Sequence, residues 1–325
     1  MNWALFLAVV GLVLEFGSSS SLAAAYGISV SGTMIITTLL VYVVARRAWG
    51  WGRLRSMLIL GAFLTVDIAF FGAAGFVTIG WGGNPADRAS VGGKSALFGT
   101  LLQMAPSGKY KMLADIAAHE LEFNDGGGNP DSNPYNTLAQ PGRRIVVDPG
   151  ANALVEVLSN GRTRTFAVPP RLPPVPPIPA PRESVPTSVV EGPDGAIYVG
   201  QLTSFPFWQG TSSVLRIASD GSSIETYASG FTAIVDLAFD TGGALYVLEV
   251  ASGQVAPFPP PPPSPGLGIG RLLRVCPGGA PEVLLSGLDY ASGIAIGPDD
   301  AAYLTNHGTS PTDGEVLRLP LTPCP

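Results

Sequence analysis

Six oxygen-bearing side chains, Asp115, Asp131, Asn133, Asp148, Asn152 and Asp236, are of the types that suit a hard cation. Carboxylate and amide oxygens of this kind, converging on one point, coordinate calcium. Asp148-Pro149-Gly150-Ala151-Asn152 also reads as a tight turn, in which Asp and Asn satisfy backbone N–H groups. The turn reading is preferred, so no metal ligand is assigned. An imidazole base is available only at His119 or His307, and each is read as capping a loop. Asp67 lies inside an apolar stretch and is the candidate intramembrane ion or proton site, with a neutral carboxyl that merely weakens the span as the competing reading. Cys276 and Cys324 can form a disulfide if the region is oxidising. The chain has no C-x-x-C, no G-x-S-x-G, no phosphate-binding loop and no dinucleotide fingerprint. No catalytic or cofactor-binding residue is therefore assigned, and no cofactor is expected.

Most of these residues fall within a recurring unit of short strands. Ser188 to Gly200, SVVEGPDGAIYVG, reads as strand, turn, strand. Val214-Leu215-Arg216-Ile217 follows, then a turn at Ser219-Asp220-Gly221. The unit recurs from Asp236 to Val275 and from Gly293 to Leu319, with a worn copy around Ile145 to Val157. A half copy holds Phe76–Ile79 and Gly99–Met104. Aligned on Val146, Tyr198, Tyr246 and Tyr303, the spacings are 52, 48 and 57 residues. Repeats of this length with several strands each predict a β-propeller, and the nearly continuous apolar runs suit blades covered on both faces. An ordinary β-sandwich is the alternative. Four full repeats and one half repeat predict an incomplete all-β propeller of about five blades. Its open end faces would carry Val77, Ile79, Leu101, Ile294, Ile296 and Leu317.

Composition separates two regions. Mean hydropathy is +0.33, yet the chain holds 41 Gly and 31 Pro. The first 45 residues carry a single charge, Glu15, whereas Gly, Pro and Asp concentrate after residue 80. Trp3 to Phe16, Leu22 to Val44 and Met57 to Ile79 are apolar, the last broken by Asp67. The second is long enough to span a bilayer, and the first is short for one. Leu5 to Leu14 also resembles a signal-peptide core, but no basic stretch precedes it and further apolar segments follow. Two or three transmembrane helices are expected. Arg46, Arg47, Arg53 and Arg55 lie between the second and third, which places that loop in the cytoplasm and everything after about residue 80 outside. Gly75 to Gly80 is read as the first propeller strand rather than the end of a span. The expected boundaries are 1–74 for the membrane segment and 76–325 for the propeller.

Phe16-Gly17-Ser18-Ser19-Ser20-Ser21-Leu22-Ala23-Ala24-Ala25-Tyr26-Gly27-Ile28, then Gly32-Thr33-Met34-Ile35-Ile36-Thr37-Thr38, resembles the late membrane spans of the KUP family of potassium uptake transporters. Val66-Asp67 and Phe70-Phe71 continue the likeness, which ends near residue 74. It implies proton-coupled potassium uptake, with K+ and H+ as transported ions. The resemblance lacks the family's early spans, and Glu15 and Ser21 depart from its pattern.

Residues 76 to 325 resemble the ScyD/ScyE family of exported propeller proteins. The words that carry this are Gly82-Gly83-Asn84-Pro85-Ala86-Asp87-Arg88, Phe98-Gly99-Thr100-Leu101-Leu102, Ala114-Asp115-Ile116-Ala117-Ala118-His119-Glu120 and Asn306-His307-Gly308-Thr309-Ser310-Pro311. The likeness implies a propeller of six-bladed, NHL type without a defined activity. His119 and His307 depart from the family's pattern. The chain thus reads as a chimera.

Net charge is −6, so no nucleic-acid partner is expected. The expected partners are the lipid bilayer and a protein held at an open propeller edge or at the proline-rich stretches Val168 to Pro186 and Pro257 to Pro265. Three functions stay open: a membrane-anchored binding propeller without catalysis, potassium transport, and a propeller hydrolase or sugar dehydrogenase.

Overall fold

The computed structural model describes residues 41–47, 50–58, 60–61, 75–105, 108–176, 179–253 and 267–324. The chain divides into two compact units, Met1–Val77 with Leu102–Met112, and Thr78–Leu101 with Leu113–Pro325.

In the first unit, residues 41–47, 53–58 and 60–61 are helical. Arg46 donates to the Trp51 carbonyl at 2.7 Å, and the Arg55 guanidinium lies 5.8 Å from the Trp51 ring centroid. Among the described residues no helix is long and apolar enough to cross a membrane. The stretch Trp3 to Phe16, most of Leu22 to Val44, and Asp67 lie outside the described residues.

From Gly75 onward the chain builds five blades, each a small antiparallel meander. The first holds β1 (Gly75–Ile79), β2 (Thr100–Met104) and β3 (Tyr110–Asp115), followed by helix α1 (Ile116–Phe123). The second holds β4 (Asn136–Gln140), β5 (Arg143–Asp148), β6 (Ala153–Leu158) and β7 (Thr163–Ala167). The third holds β8 (Pro186–Glu191), β9 (Ile197–Gln201), β10 (Ser212–Ile217) and β11 (Ile224–Phe231). The fourth holds β12 (Ile234–Phe239), β13 (Leu245–Ala251), β14 (Leu267–Val275) and β15 (Pro281–Leu288). The fifth holds β16 (Ile294–Ile296), β17 (Ala301–Asn306) and β18 (Glu315–Pro320).

The five blades match the repeat count expected from sequence, but the opening repeat is fuller than expected. The opening repeat has a third strand, β3, beyond the half copy read in the sequence, and the closing repeat has the three strands read there. β3 escaped notice because Tyr110, Lys111 and Met112 are exposed and give it no apolar run.

Stacking explains the apolar strands. Val147 and Leu154 of the second blade pack with Ile197, Val199 and Leu215 of the third. Tyr198 and Val214 on the third blade's other face meet Leu237, Leu245 and Val247 of the fourth. Tyr246, Leu248 and Leu272 then meet Ala302 and Leu304 of the fifth. Each inner blade is thus apolar on both sides. Gly200 fits this contact because a Cβ there would lie 2.6 Å from both Ile234 Cγ2 and Ser188 Oγ.

The register exposes the last face. Val214 pairs with Gly200, Leu272 with Leu248, and Val316 with Thr305, each partner lying two residues beyond the blade tyrosine. Val214 and Leu272 are fully buried, whereas Val316 is 65% exposed. Tyr303 is likewise half-buried where Tyr198 and Tyr246 are sealed. The open-face assignment from sequence therefore had the wrong side of the closing blade. Ile294, Ile296 and Leu317 turn toward the fourth blade, and Leu101 is fully buried. Alternation along a strand sends successive residues to opposite faces, and neither run fixes which face is covered.

The proline-rich stretch after β7 is a tied loop. Leu172 and Arg182 exchange both backbone hydrogen bonds, and Arg182 reaches the Pro173 carbonyl and the Thr211 hydroxyl. The stretch Pro257 to Pro265 lies outside the described residues.

Candidate functional site

The first strands of successive blades neighbour one another, β4 beside β8, β8 beside β12, and β12 beside β16, so they form the inner ring. Asp236 of β12 lies at its centre. Its Oδ1 accepts from Leu237 N at 2.9 Å and, across the third blade, from Asn136 Nδ2 at 3.4 Å. Its Oδ2 accepts from Ile294 N at 2.9 Å. Burial pushes this carboxyl up to about 6, and both burial and Asp236 raise the Tyr135 hydroxyl. Both Asp236 oxygens are thus occupied by N–H donors, and the residue holds three blades together.

A second acidic cluster sits where α1 and its following loop cover the second blade. Asp148 is fully buried and accepts from Ser132 Oγ at 2.6 Å, Asn133 N at 2.6 Å and Ala151 N at 3.2 Å. Burial pushes it up to about 6 despite these donors. Glu120 of α1 is 3% exposed. Burial first, and then the Asp148 charge, push it up to about 7. Glu120 Oε2 is buried without a donor. Asp131 Oδ1 and Asn124 Oδ1 are buried without a donor as well. His119 Nδ1 lies 3.1 Å from Thr163 Oγ1, and Nε2 lies 3.2 Å from Asp125 Oδ2, which also accepts from Thr165 Oγ1. The loop runs so close over the 148–152 turn that a Cβ on Gly126 would lie 2.2 Å from the Ala151 carbonyl oxygen.

The six oxygen-bearing candidates do not form one site. Asp115 caps α1 through Ala118 N and pairs with Arg88 through two contacts of 2.8 Å. Asn152 accepts from Val185 N at 2.9 Å. Asp131 and Asp148 lie in the second cluster, where Asn133 contributes only its backbone N–H, and Asp236 stands apart at the centre. Among the described residues no three His, Cys, Asp or Glu side chains group to hold a metal. His307 is partly exposed, with Nδ1 3.0 Å from Asp289 Oδ2, and that contact raises its pKa. Cys276 and Cys324 are bonded to each other.

Two features were missed in the sequence. Glu120 joins the cluster from a helix whose acidic residues gave no spacing signal. A turn Asp, the blade Tyr and an Arg on the next strand also form a recurring group. Tyr198 and Arg216 meet Asp194, and Tyr303 and Arg318 meet Asp299. In the fourth blade Tyr246 meets Asp240 at 3.0 Å, while Arg274 turns to Glu282 and the Thr322 carbonyl. The aligned tyrosines, each paired in register with an arginine, carry that signal.

Residues 1–83 match the K+ potassium transporter integral membrane domain. That stretch includes β1. Over 73 residues the chain is 62% identical to a potassium transport system protein Kup of Aromatoleum aromaticum, covering 22% of this chain and 11% of that protein. It is 59% identical over 73 residues to the Kup protein of Myxococcus xanthus, with the same coverage. The chain thus spans about a ninth of the length of these curated relatives. Solved structures similar to the propeller include an inactive virginiamycin B lyase of Staphylococcus aureus with quinupristin, at 16% identity and TM-score 0.43, covering 68% of this chain and 63% of that one. A nidogen–laminin complex gives 14% identity and TM-score 0.45, covering 68% of each chain. Likeness at this level assigns no ligand or reaction to this chain.

Proposed function

We propose that the chain is a membrane-tethered propeller of ScyD/ScyE type that acts outside the cytoplasm as a binding scaffold. The uncovered face of the fifth blade carries this reading: Val316 is 65% exposed at a register position that is fully buried in the two preceding blades. Equivalent faces of the third and fourth blades each seat another blade of the same repeat. The partner that this face fits is therefore a blade of the same kind, supplied by a second copy of the chain. The membrane-domain match at 1–83 supports tethering. The arginines between Arg46 and Arg55 favour a cytoplasmic loop ahead of an exported propeller. Light scattering on the full chain in detergent is the test. A dimer that becomes a monomer in Val316→Asp is expected, and a monomeric wild type overturns the scaffold reading.

Potassium transport is the second reading, favoured by the 62% identity to a Kup protein over 73 residues. Rescue of a strain lacking potassium uptake, lost in Asp67→Asn, would establish it. Absence of growth at limiting potassium counts against transport by this chain alone.

A further inference from the structure

In the third and fourth blades the outermost strand sets a glutamate directly opposite an arginine of its neighbour. Arg216 of β10 pairs in register with Glu225 of β11, and Arg274 of β14 with Glu282 of β15. Each is an ion pair of 2.8 Å. The second blade reverses the charges, with Glu156 of β6 opposite Arg164 of β7 and paired to it. The two glutamates open one shared pattern, Glu-x-x-apolar-Ser-Gly-apolar, over Glu225–Phe231 and Glu282–Leu288. Its last residue, Phe231 or Leu288, is buried. The fifth blade has the arginine without that strand. Arg318 stands opposite Tyr303, as Arg216 and Arg274 stand opposite Tyr198 and Tyr246. It is 49% exposed, and Asp299 is its one carboxylate partner among the described residues. Past β18 the chain does not turn back along the blade, because Thr322 and Cys324 are held by Arg274 and Cys276 of the fourth.

The edge left open has its own order of backbone groups. Leu321 N donates to the Asp300 carbonyl, which continues the β17–β18 ladder. Alternation then turns the N–H and C=O of Val316 and Arg318 away from β17, toward the open edge, where Pro320 offers no N–H. We propose that this edge takes an antiparallel strand from a separate polypeptide, with a carboxylate opposite Arg318 and an apolar residue opposite Val316. Unpaired edge groups are a template for strand addition, and the two blades that keep their outer strand define what this one accepts. Opposite the equivalents of Val316, those strands place Ala228 and Leu285. The chain's own stretches outside the described residues do not repeat the pattern, and their acidic residues are Glu15 and Asp67, both within apolar runs. A second copy of β18 does not fit either. Outward-facing residues pair with one another, which would set Arg318 against Gly314, Val316, Pro320 or the other Arg318, never against a carboxylate. The edge is therefore a different surface from the apolar face proposed to seat a second copy.

The test is fluorescence anisotropy of a labelled peptide, IETYASGF, which copies β11, against the full chain in detergent. Saturable binding to the wild type is expected. Glu225→Lys in the peptide, or Arg318→Glu in the chain, should weaken it about fivefold or more, because like charges then face each other across the pair. Combining the two changes should restore most of the affinity, which an unfolded Arg318→Glu chain could not do. Methylating the peptide's Glu225 nitrogen removes the donor to the Arg318 carbonyl and should abolish binding. No binding to the wild type overturns the strand site. Binding that tolerates the methyl group overturns it too, as does a charge reversal that the double change fails to rescue. A chain that is monomeric by light scattering yet binds the peptide would refute the second-copy reading and leave this edge site standing.

Discussion

Cys276, one residue past β14, is bonded to Cys324, four residues past β18, with their Cα atoms 5.8 Å apart. The bond ties the tail of the fifth blade to the fourth. Arg274 reinforces it by donating to the Thr322 carbonyl at 2.6 Å. Leu321 and Cys324 also pack at the edge of the shared core. Closing a loop of 48 residues restricts the unfolded chain, which contributes about 2–4 kcal/mol. Reductant should therefore lower the Tm of the wild type, and Cys324→Ser should show the lower Tm with no further response to reductant. Both thiols should resist labelling until reduced. Labelling of both without reduction would refute the bond in the cell.

Glu249 is fully buried in β13 and is opposed in register by Arg271, whose Nε lies 2.5 Å from Oε2. Its Oε1 accepts from Thr232 N at 2.7 Å. Burial raises the Glu249 pKa against the pull of Arg271. Arg271→Met leaves the carboxylate unpaired, at a cost of about 3–5 kcal/mol at neutral pH. The loss should shrink toward acid pH, as the raised carboxyl takes up a proton. Denaturant midpoints at pH 5 and pH 7.5 compare the two directly, and an equal loss at both would remove the charge argument.

The blade pattern was legible because the strands are buried on both faces, which leaves nearly unbroken runs such as Ile197-Tyr198-Val199 and Leu245-Tyr246-Val247. The tyrosine spacing then set the repeat. What stayed hidden depends on neighbours in space. Ile294 and Val316 are both apolar and one blade contains both, yet only stacking decides that the first is covered and the second bare. The same holds for the oxygen-bearing candidates. Asp115, Asn152 and Asp236 look alike in sequence, but each is consumed by its own cap, turn or inner-strand N–H.

Asp236 gives a pH signature. Its folded carboxyl sits near 6, above the ordinary aspartate value of 3.8, so the folded state binds this proton more tightly than the unfolded chain. Its contribution to stability is fully present below about pH 4 and is lost as pH rises through 6. The loss is on the order of 3 kcal/mol at most. Asp236→Asn removes the titration but also one acceptor facing Ile294 N, so its absolute stability falls. The prediction concerns slope: between pH 4 and pH 7 the wild type should lose stability relative to the variant. Parallel pH profiles would show that this carboxyl does not titrate in that range.

Matched substitutions along the repeat separate covered from uncovered faces. Leu272 and Val316 hold equivalent register positions, one fully buried and one 65% exposed. Leu272→Ala removes buried methyl groups between the fourth and fifth blades and should cost about 2–5 kcal/mol. Val214→Ala, between the third and fourth blades, should cost about 1–3 kcal/mol for its smaller side chain. Val316→Ala in a monomer loses little contact and should cost below about 0.5 kcal/mol. If a second copy covers the face, the Val316→Ala penalty should grow with protein concentration, because it then falls on association rather than folding. Urea midpoints measured at two widely separated concentrations in detergent distinguish these cases. A large, concentration-independent loss in Val316→Ala would mean that another part of this same chain covers the face, and dimerisation through it would be excluded.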